Sequence, residues 1–155
     1  MRPVHLLPVG SIEAPLLEAL RAGLERNCYR PCEILPARLD PEFAFHPERQ
    51  QYHSSEILAR LREYLTPESW RLLGVASVDL YIPILTFVFG EGQVGGVCAV
   101  ISLHRLQQEF YGLPGDAALL DQRLLKEAVH ELGHTCRLTH CDEYTCAMAP
   151  SHGVE

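Results

Sequence analysis

The sequence has no apolar run long enough to cross a bilayer. Its longest, around Val97–Leu103, falls far short of the roughly 20 residues a membrane helix needs. It has no basic cluster either: 13 Lys and Arg stand against 20 Asp and Glu, a formal net charge of −7. That balance argues against nucleic acid and anionic membrane as partners. Near the start, Met1 and Arg2 precede a Pro-containing stretch and the acidic Glu13, without the h-region and small-residue cleavage site of an export signal. The expectation is a cytoplasmic protein. There is no internal repeat, low-complexity tract or linker. The 155 residues, 47% hydrophobic and 21% charged, predict one domain over residues 1–155 with a core that needs no disulfide staples. The six cysteines, at 28, 32, 98, 136, 141 and 146, then read as free thiols or metal ligands. Cys98 lies in an apolar strand as a small core residue, and Cys28 and Cys32 flank a turn at Pro31.

Along the chain, Val4–Val9 is a short apolar run ending at Gly10, the pattern of a buried strand. Ser11 is placed to cap a helix carrying Ala14, Leu16, Leu17, Leu20 and Leu24. Cys32–Leu35 follows as a second strand, completing a β-α-β opening that favours parallel pairing. After a Pro-punctuated connection over Pro36–Gln51, Ser54 or Ser55 is expected to cap a helix with Ile57, Leu58, Leu61 and Leu65. His46 and His53 can serve as ligands, although satisfied or exposed loop histidines are far commoner. Leu72–Ala76 is a third strand. A further stretch through Val78 to Phe89 is expected to break at Gly90, with Pro83 in a turn or on an edge. Val97–Leu103 is a nearly continuous apolar strand. Residues near Gly95–Val97 form either an edge that binds a peptide as an added strand or a plain hairpin. Asp116 or Asp121 starts a long helix whose Leu120, Leu124, Leu125, Ala128, Val129 and Leu132 make an apolar stripe.

The chemistry concentrates at the end of that helix, in His130-Glu131-Leu132-Gly133-His134. Histidines four apart share one helical face and can converge on a single ion, with Glu131 beside them to handle protons. At uniform residue frequencies HExxH arises by chance in about 2% of chains this long, and a third His at a fixed offset lowers that roughly twentyfold. Here the third is His140, too far for the same face but reachable once the chain turns back. Three neutral nitrogens leave one tetrahedral position open to water, the arrangement of a catalytic zinc.

Together with Asp79-Leu80-Tyr81-Ile82-Pro83, Phe87-Val88-Phe89-Gly90-Glu91, Gly95-Gly96 and Lys126-Glu127-Ala128-Val129, these residues resemble an archaemetzincin, a branch of the metzincin zinc peptidases. The most specific marker is a Cys directly after the third His, a second Cys five residues on and a Met two beyond: Cys141, Cys146 and Met148. The resemblance implies an α/β fold with a twisted mixed sheet of four to five strands and three helices, the active-site helix below the sheet. It also implies a peptide or protein substrate, catalytic Zn2+ on His130, His134 and His140, Glu131 as general base, and a Met-turn placing Met148 beneath the imidazoles.

Two departures stand out. Metzincins carry Gly three residues after the second His, where this chain has Arg137. If that position takes φ > 0, a non-Gly residue costs on the order of 1 kcal/mol. Zinc binding, on the order of 10 kcal/mol in structural peptide sites, can absorb it. Arg137 can also set a permanent cation near the metal. The family, moreover, continues into a further helix and a CxxC pair, which with the two earlier cysteines make a four-thiolate zinc. This sequence ends at Glu155, leaving Cys141 and Cys146 as half of such a second site unless Cys136, His152 or solvent joins them. Two readings therefore compete with a peptidase: a zinc-binding protein with little or no peptidase activity, because of Arg137 and the short C-terminus, and a thiol protein built on Cys136, Cys141 and Cys146.

Overall fold

The most apolar stretches of the chain become the middle of a sheet covered on both faces. In the computed structural model, which describes residues 1–143 and 145–150, β1 (Val4–Val9) lies between β2 (Cys32–Ile34) and β5 (Arg71–Ala76). β8 (Cys98–Ser102) and β7 (Gly90–Gly92) continue the sheet beyond β5. All neighbours are parallel except β7, which runs antiparallel to β8 at the edge. Because side chains alternate along a strand, each central strand feeds two cores. Leu6, Leu73 and Ala99 stand in register and pack with α1 (Ala14–Cys28) and α3 (Ala117–Thr135). Leu7, Leu72, Cys98 and Val100 point the other way, toward Ile57, Leu58 and Leu61 of α2 (Ser54–Leu61). Strands buried on both faces read as continuous apolar runs, which is why these were conspicuous in the sequence.

A second, three-stranded sheet was not anticipated. β3 (Phe45–His46) and β4 (Gln51–His53) pair antiparallel, and β4 pairs in parallel with β6 (Leu80–Tyr81). Strands of two or three residues carry too few alternations to register as a pattern.

Four local expectations are corrected. Ser11 does not cap α1. The N-cap is Glu13, without a side-chain cap bond, and a Pro in the first turn removes one of the amides a cap would satisfy. Neither Ser54 nor Ser55 caps α2, whose N-cap is His53; both hydroxyls instead donate to Glu91 across the fold. The α-helix also stops at Leu61, short of Leu65, and tightens into a 3-10 turn over Arg62–Tyr64. Gly90 does not break a strand but begins β7, and Gly95 and Gly96 lie in the hairpin turn to β8. Among the described residues, no helix is long and apolar enough to cross a membrane.

Leu73, fully buried on the central strand, touches the core shared with both α1 and α3. Leu73→Ala is expected to cost about 2–5 kcal/mol, measured as a lower urea midpoint with an unchanged m-value.

Candidate metal centre

The helix that carries the site starts and stops on identifiable chemistry. Asp116 caps α3, its Oδ1 accepting from the Leu119 amide at 3.0 Å. Leu124, Ala128 and Leu132 are buried toward the sheet, as the stripe predicted. At the other end the Arg137 amide donates to the His134 carbonyl at 2.9 Å, and the Leu138 amide to the Gly133 carbonyl at 3.0 Å. This pair of bonds is a Schellman motif with Arg137 at the left-handed position usually held by Gly, at φ 69°. The positive φ anticipated at this departure is therefore present. The Arg137 guanidinium lies against Gly95 of the hairpin turn. Gly95 in turn donates its amide to the His134 carbonyl at 3.0 Å.

The reversal brings His140 back to the helix. Ring centroids of His130 and His134 are 4.9 Å apart, those of His130 and His140 5.3 Å, and those of His134 and His140 5.1 Å. One nitrogen from each lies within 4.8 Å of the others, so the three can hold a metal ion. Two rings are oriented by backbone. His130 Nδ1 sits 2.7 Å from the Ala147 carbonyl and His134 Nδ1 2.8 Å from the Leu138 carbonyl. A protonated Nδ1 donating to each carbonyl leaves Nε2 with its lone pair available for an ion. His130, 5% exposed, has its pKa lowered chiefly by burial, which keeps the imidazole neutral as a ligand must be.

Glu131 lies beside this cluster, 6% exposed, its carboxylate against the Gly90 backbone. Burial pushes its carboxyl up to about 8, with the charges of Glu127 and Glu91 adding to the rise. The imidazoles and Glu131 line a cleft of about 510 Å³ together with Ile82, Phe87, Phe89 and Val94. The edge strand β7 runs along the cleft as well.

Three contributors escaped the sequence reading. Gly133 lies where a Cβ would come within 2.5 Å of the Met148 sulfur, so the missing side chain lets Met148, 8% exposed, tuck under the helix between the two histidines. A Gly inside a helix costs about 1 kcal/mol against Ala, and that cost was the available signal of a close approach. Gly92 is a similar case: a Cβ there would meet the Glu131 carbonyl at 2.4 Å, so β7 and α3 touch backbone to backbone. Glu91 on the cleft wall accepts from Ser54 Oγ at 2.5 Å and from Ser55 Oγ at 3.0 Å. Nothing local in the sequence announces a contact spanning more than thirty residues.

Cys141 and Cys146 are half-buried free thiols close to Met148: the Cys141 amide donates to the Met148 carbonyl, and Cys146 Sγ accepts from the Met148 amide. Cys136 is exposed at the end of α3 near Arg71. Among the described residues no third ligand gathers with these thiols. His152 lies outside the described residues. His46 and His53, in contrast, do converge, on Glu56.

The model of the family described as Peptidase family M54 matches residues 29–155. An archaemetzincin of Methanocaldococcus jannaschii is 42% identical over 151 residues, covering 97% of this chain and 82% of the relative. A solved zinc-dependent peptidase of Methanocorpusculum labreanum superposes with a TM-score of 0.87 at 29% identity, covering 97% of this chain and 90% of the other. An archaemetzincin of Archaeoglobus fulgidus, crystallised with malonate, gives a TM-score of 0.82 at 33% identity, covering 98% and 88%.

The two glycine contacts predict a ranking. Met148 is flexible and can yield to a methyl group, whereas the Glu131 carbonyl belongs to the helix backbone. Overpacking costs about 1–3 kcal/mol, and in Gly133→Ala it is offset by the ~1 kcal/mol that Ala gains in a helix. Gly92→Ala is therefore expected to destabilise more than Gly133→Ala, read from parallel urea unfolding curves; the opposite order would refute the backbone contact.

Proposed function

This chain belongs to peptidase family M54, the archaemetzincins, and on that premise we propose a zinc-dependent peptidase in which His130, His134 and His140 hold the ion and Glu131 moves the proton. The observation that carries the reading is the convergence of three imidazoles beside a buried carboxyl on the border of one cleft. The donor set suits zinc: three neutral nitrogens, two of them oriented through their other ring nitrogen, with the cleft side left to water and substrate.

When bound, zinc lowers the pKa of water toward about 7 and polarises the scissile carbonyl. Glu131 accepts the proton of the attacking water and returns it to the departing amine nitrogen, so the C–N bond breaks as the new C–O bond is kept. Burial strengthens Glu131 as a proton acceptor. A cation held by the neighbouring imidazoles would oppose that rise and favour the ionised carboxylate. Substrate lies extended along β7, whose outer edge carries no strand partner among the described residues. The edge position anticipated near Gly95–Val97 thus moves to Gly90–Gly92. Apolar side chains of the substrate face Ile82, Phe87 and Val94. Met148, packed on Gly133, serves as the floor of the family's Met-turn, fixing the ligands without competing for the ion.

Against the rival reading, a zinc-binding protein with little or no peptidase activity, we weigh that the Arg137 guanidinium rests on the hairpin at Gly95 and that its backbone completes the turn before His140, which favours an assembled centre. Residues 1–155 act as one catalytic domain, and six free thiols suit a reducing cytoplasm.

Glu131→Gln is expected to keep zinc, measured by elemental analysis, while kcat/KM on a peptide library falls about 10²–10⁴-fold. Unchanged turnover with zinc retained would remove Glu131 from the mechanism.

A further inference from the structure

The second sheet gathers three ligand-bearing side chains, none of which lines the cleft. His46 ends β3, His53 ends β4, and Glu56 stands in the first turn of α2. Glu56 Oε2 lies 2.7 Å from His46 Nε2 and 3.0 Å from His53 Nδ1. One ligand atom from each of the three residues lies within 4.8 Å of the others. All three side chains are partly exposed, so water has access to the point on which they converge.

The arrangement is held from outside the cluster. The two imidazoles meet edge to face with centroids 5.9 Å apart, and both pack on the Tyr81 ring, at 5.7 Å for His46 and 5.3 Å for His53. His53 is also the strand partner of Tyr81, and His46 that of Gln51. The Arg49 guanidinium covers the Tyr81 ring at 3.9 Å, which steadies the platform. Little further ordering is needed for the three groups to act together.

From this convergence we propose that His46, His53 and Glu56 form a second metal site, separate from the peptidase centre and selective for a divalent transition-metal ion. Two imidazole nitrogens and one carboxylate oxygen, with the remaining positions open to water, suit Zn2+, Ni2+, Co2+ or Cu2+ rather than Mg2+ or Ca2+, which prefer oxygen. A tetrahedral ion with ligands at about 2.0–2.1 Å holds them about 3.3 Å apart, so the nitrogen–oxygen separations of 2.7 and 3.0 Å need open by about 0.6 and 0.3 Å. The ion replaces the ring protons that otherwise bridge to Glu56.

Such an ion ties β3, β4 and the start of α2 to one point. Ser54 and Ser55, in that same first turn, hold Glu91 on the cleft wall. Loading the second site thereby stiffens a wall of the peptidase cleft without contributing a ligand there. The inference does not rest on the peptidase reading.

Zn2+ titration of the metal-stripped full chain against a chromophoric chelator counts the ions bound. The wild type is expected to take up one equivalent more than His46→Ala/His53→Ala, with matching circular dichroism, and Glu56→Gln to lose the same equivalent. Equal stoichiometry in folded wild type and variants overturns the site. Independently of any variant, zinc-edge anomalous diffraction from zinc-soaked wild-type crystals is expected to give a peak between His46, His53 and Glu56. Its absence, with a peak at His130, also overturns the proposal; absence of the peak at His130 alone counts against the peptidase centre instead.

Discussion

His140 meets the other two imidazoles only because the chain reverses within two residues of the end of α3. That reversal is the constraint on which the candidate centre depends. His130 and His134 come together through helix geometry alone, since four residues complete about one turn. The third ring has no such help. It is returned by the left-handed backbone at Arg137, closed by the Arg137 and Leu138 amides on carbonyls of the last helical turn. A side chain at a left-handed position costs on the order of 1 kcal/mol, small beside the energy a metal supplies to an ordered ligand set. The hairpin before β8 reinforces the same place, with the Gly95 amide on the His134 carbonyl and the Arg137 side chain across Gly95.

The centre also illustrates how a sheet edge becomes the side of a cleft. α3 can lie against β7 because Gly92 keeps its backbone bare beneath the Glu131 carbonyl. The same closeness buries Glu131 among carboxyls from α3 and β7, which raises its proton affinity. Packing and acid–base character thus have one cause.

What was legible in the sequence follows from the range of each signal. Val4–Val9, Arg71–Ala76 and Cys98–Ser102 are buried on both faces and declare themselves as apolar runs. The α3 stripe and the HExxH spacing are periodicities within a single helix. The caps assigned to Ser11, Ser54 and Ser55 failed because a hydroxyl near a helix start has other uses: two of these serines serve Glu91, far along the chain. Likewise, the strands β3, β4 and β6 are too short to show alternation, so His46 and His53 looked like unrelated loop residues. Their meeting at Glu56 is a product of tertiary register. Gly133 stood in plain view inside the motif, yet only the packing of Met148 explains it.

The imidazoles of His130 and His134 are steered by the carbonyls of Ala147 and Leu138, not by the carboxylate side chains that often do this work around metals. Every amino acid carries a carbonyl. Substitutions at positions 147 and 138 can therefore exchange one side chain for another and leave the steering intact, provided the main chain keeps its course. Damage to this outer layer must come through insertions, deletions or prolines that divert the backbone, so the vulnerability of the centre lies in the path of its loops more than in their composition.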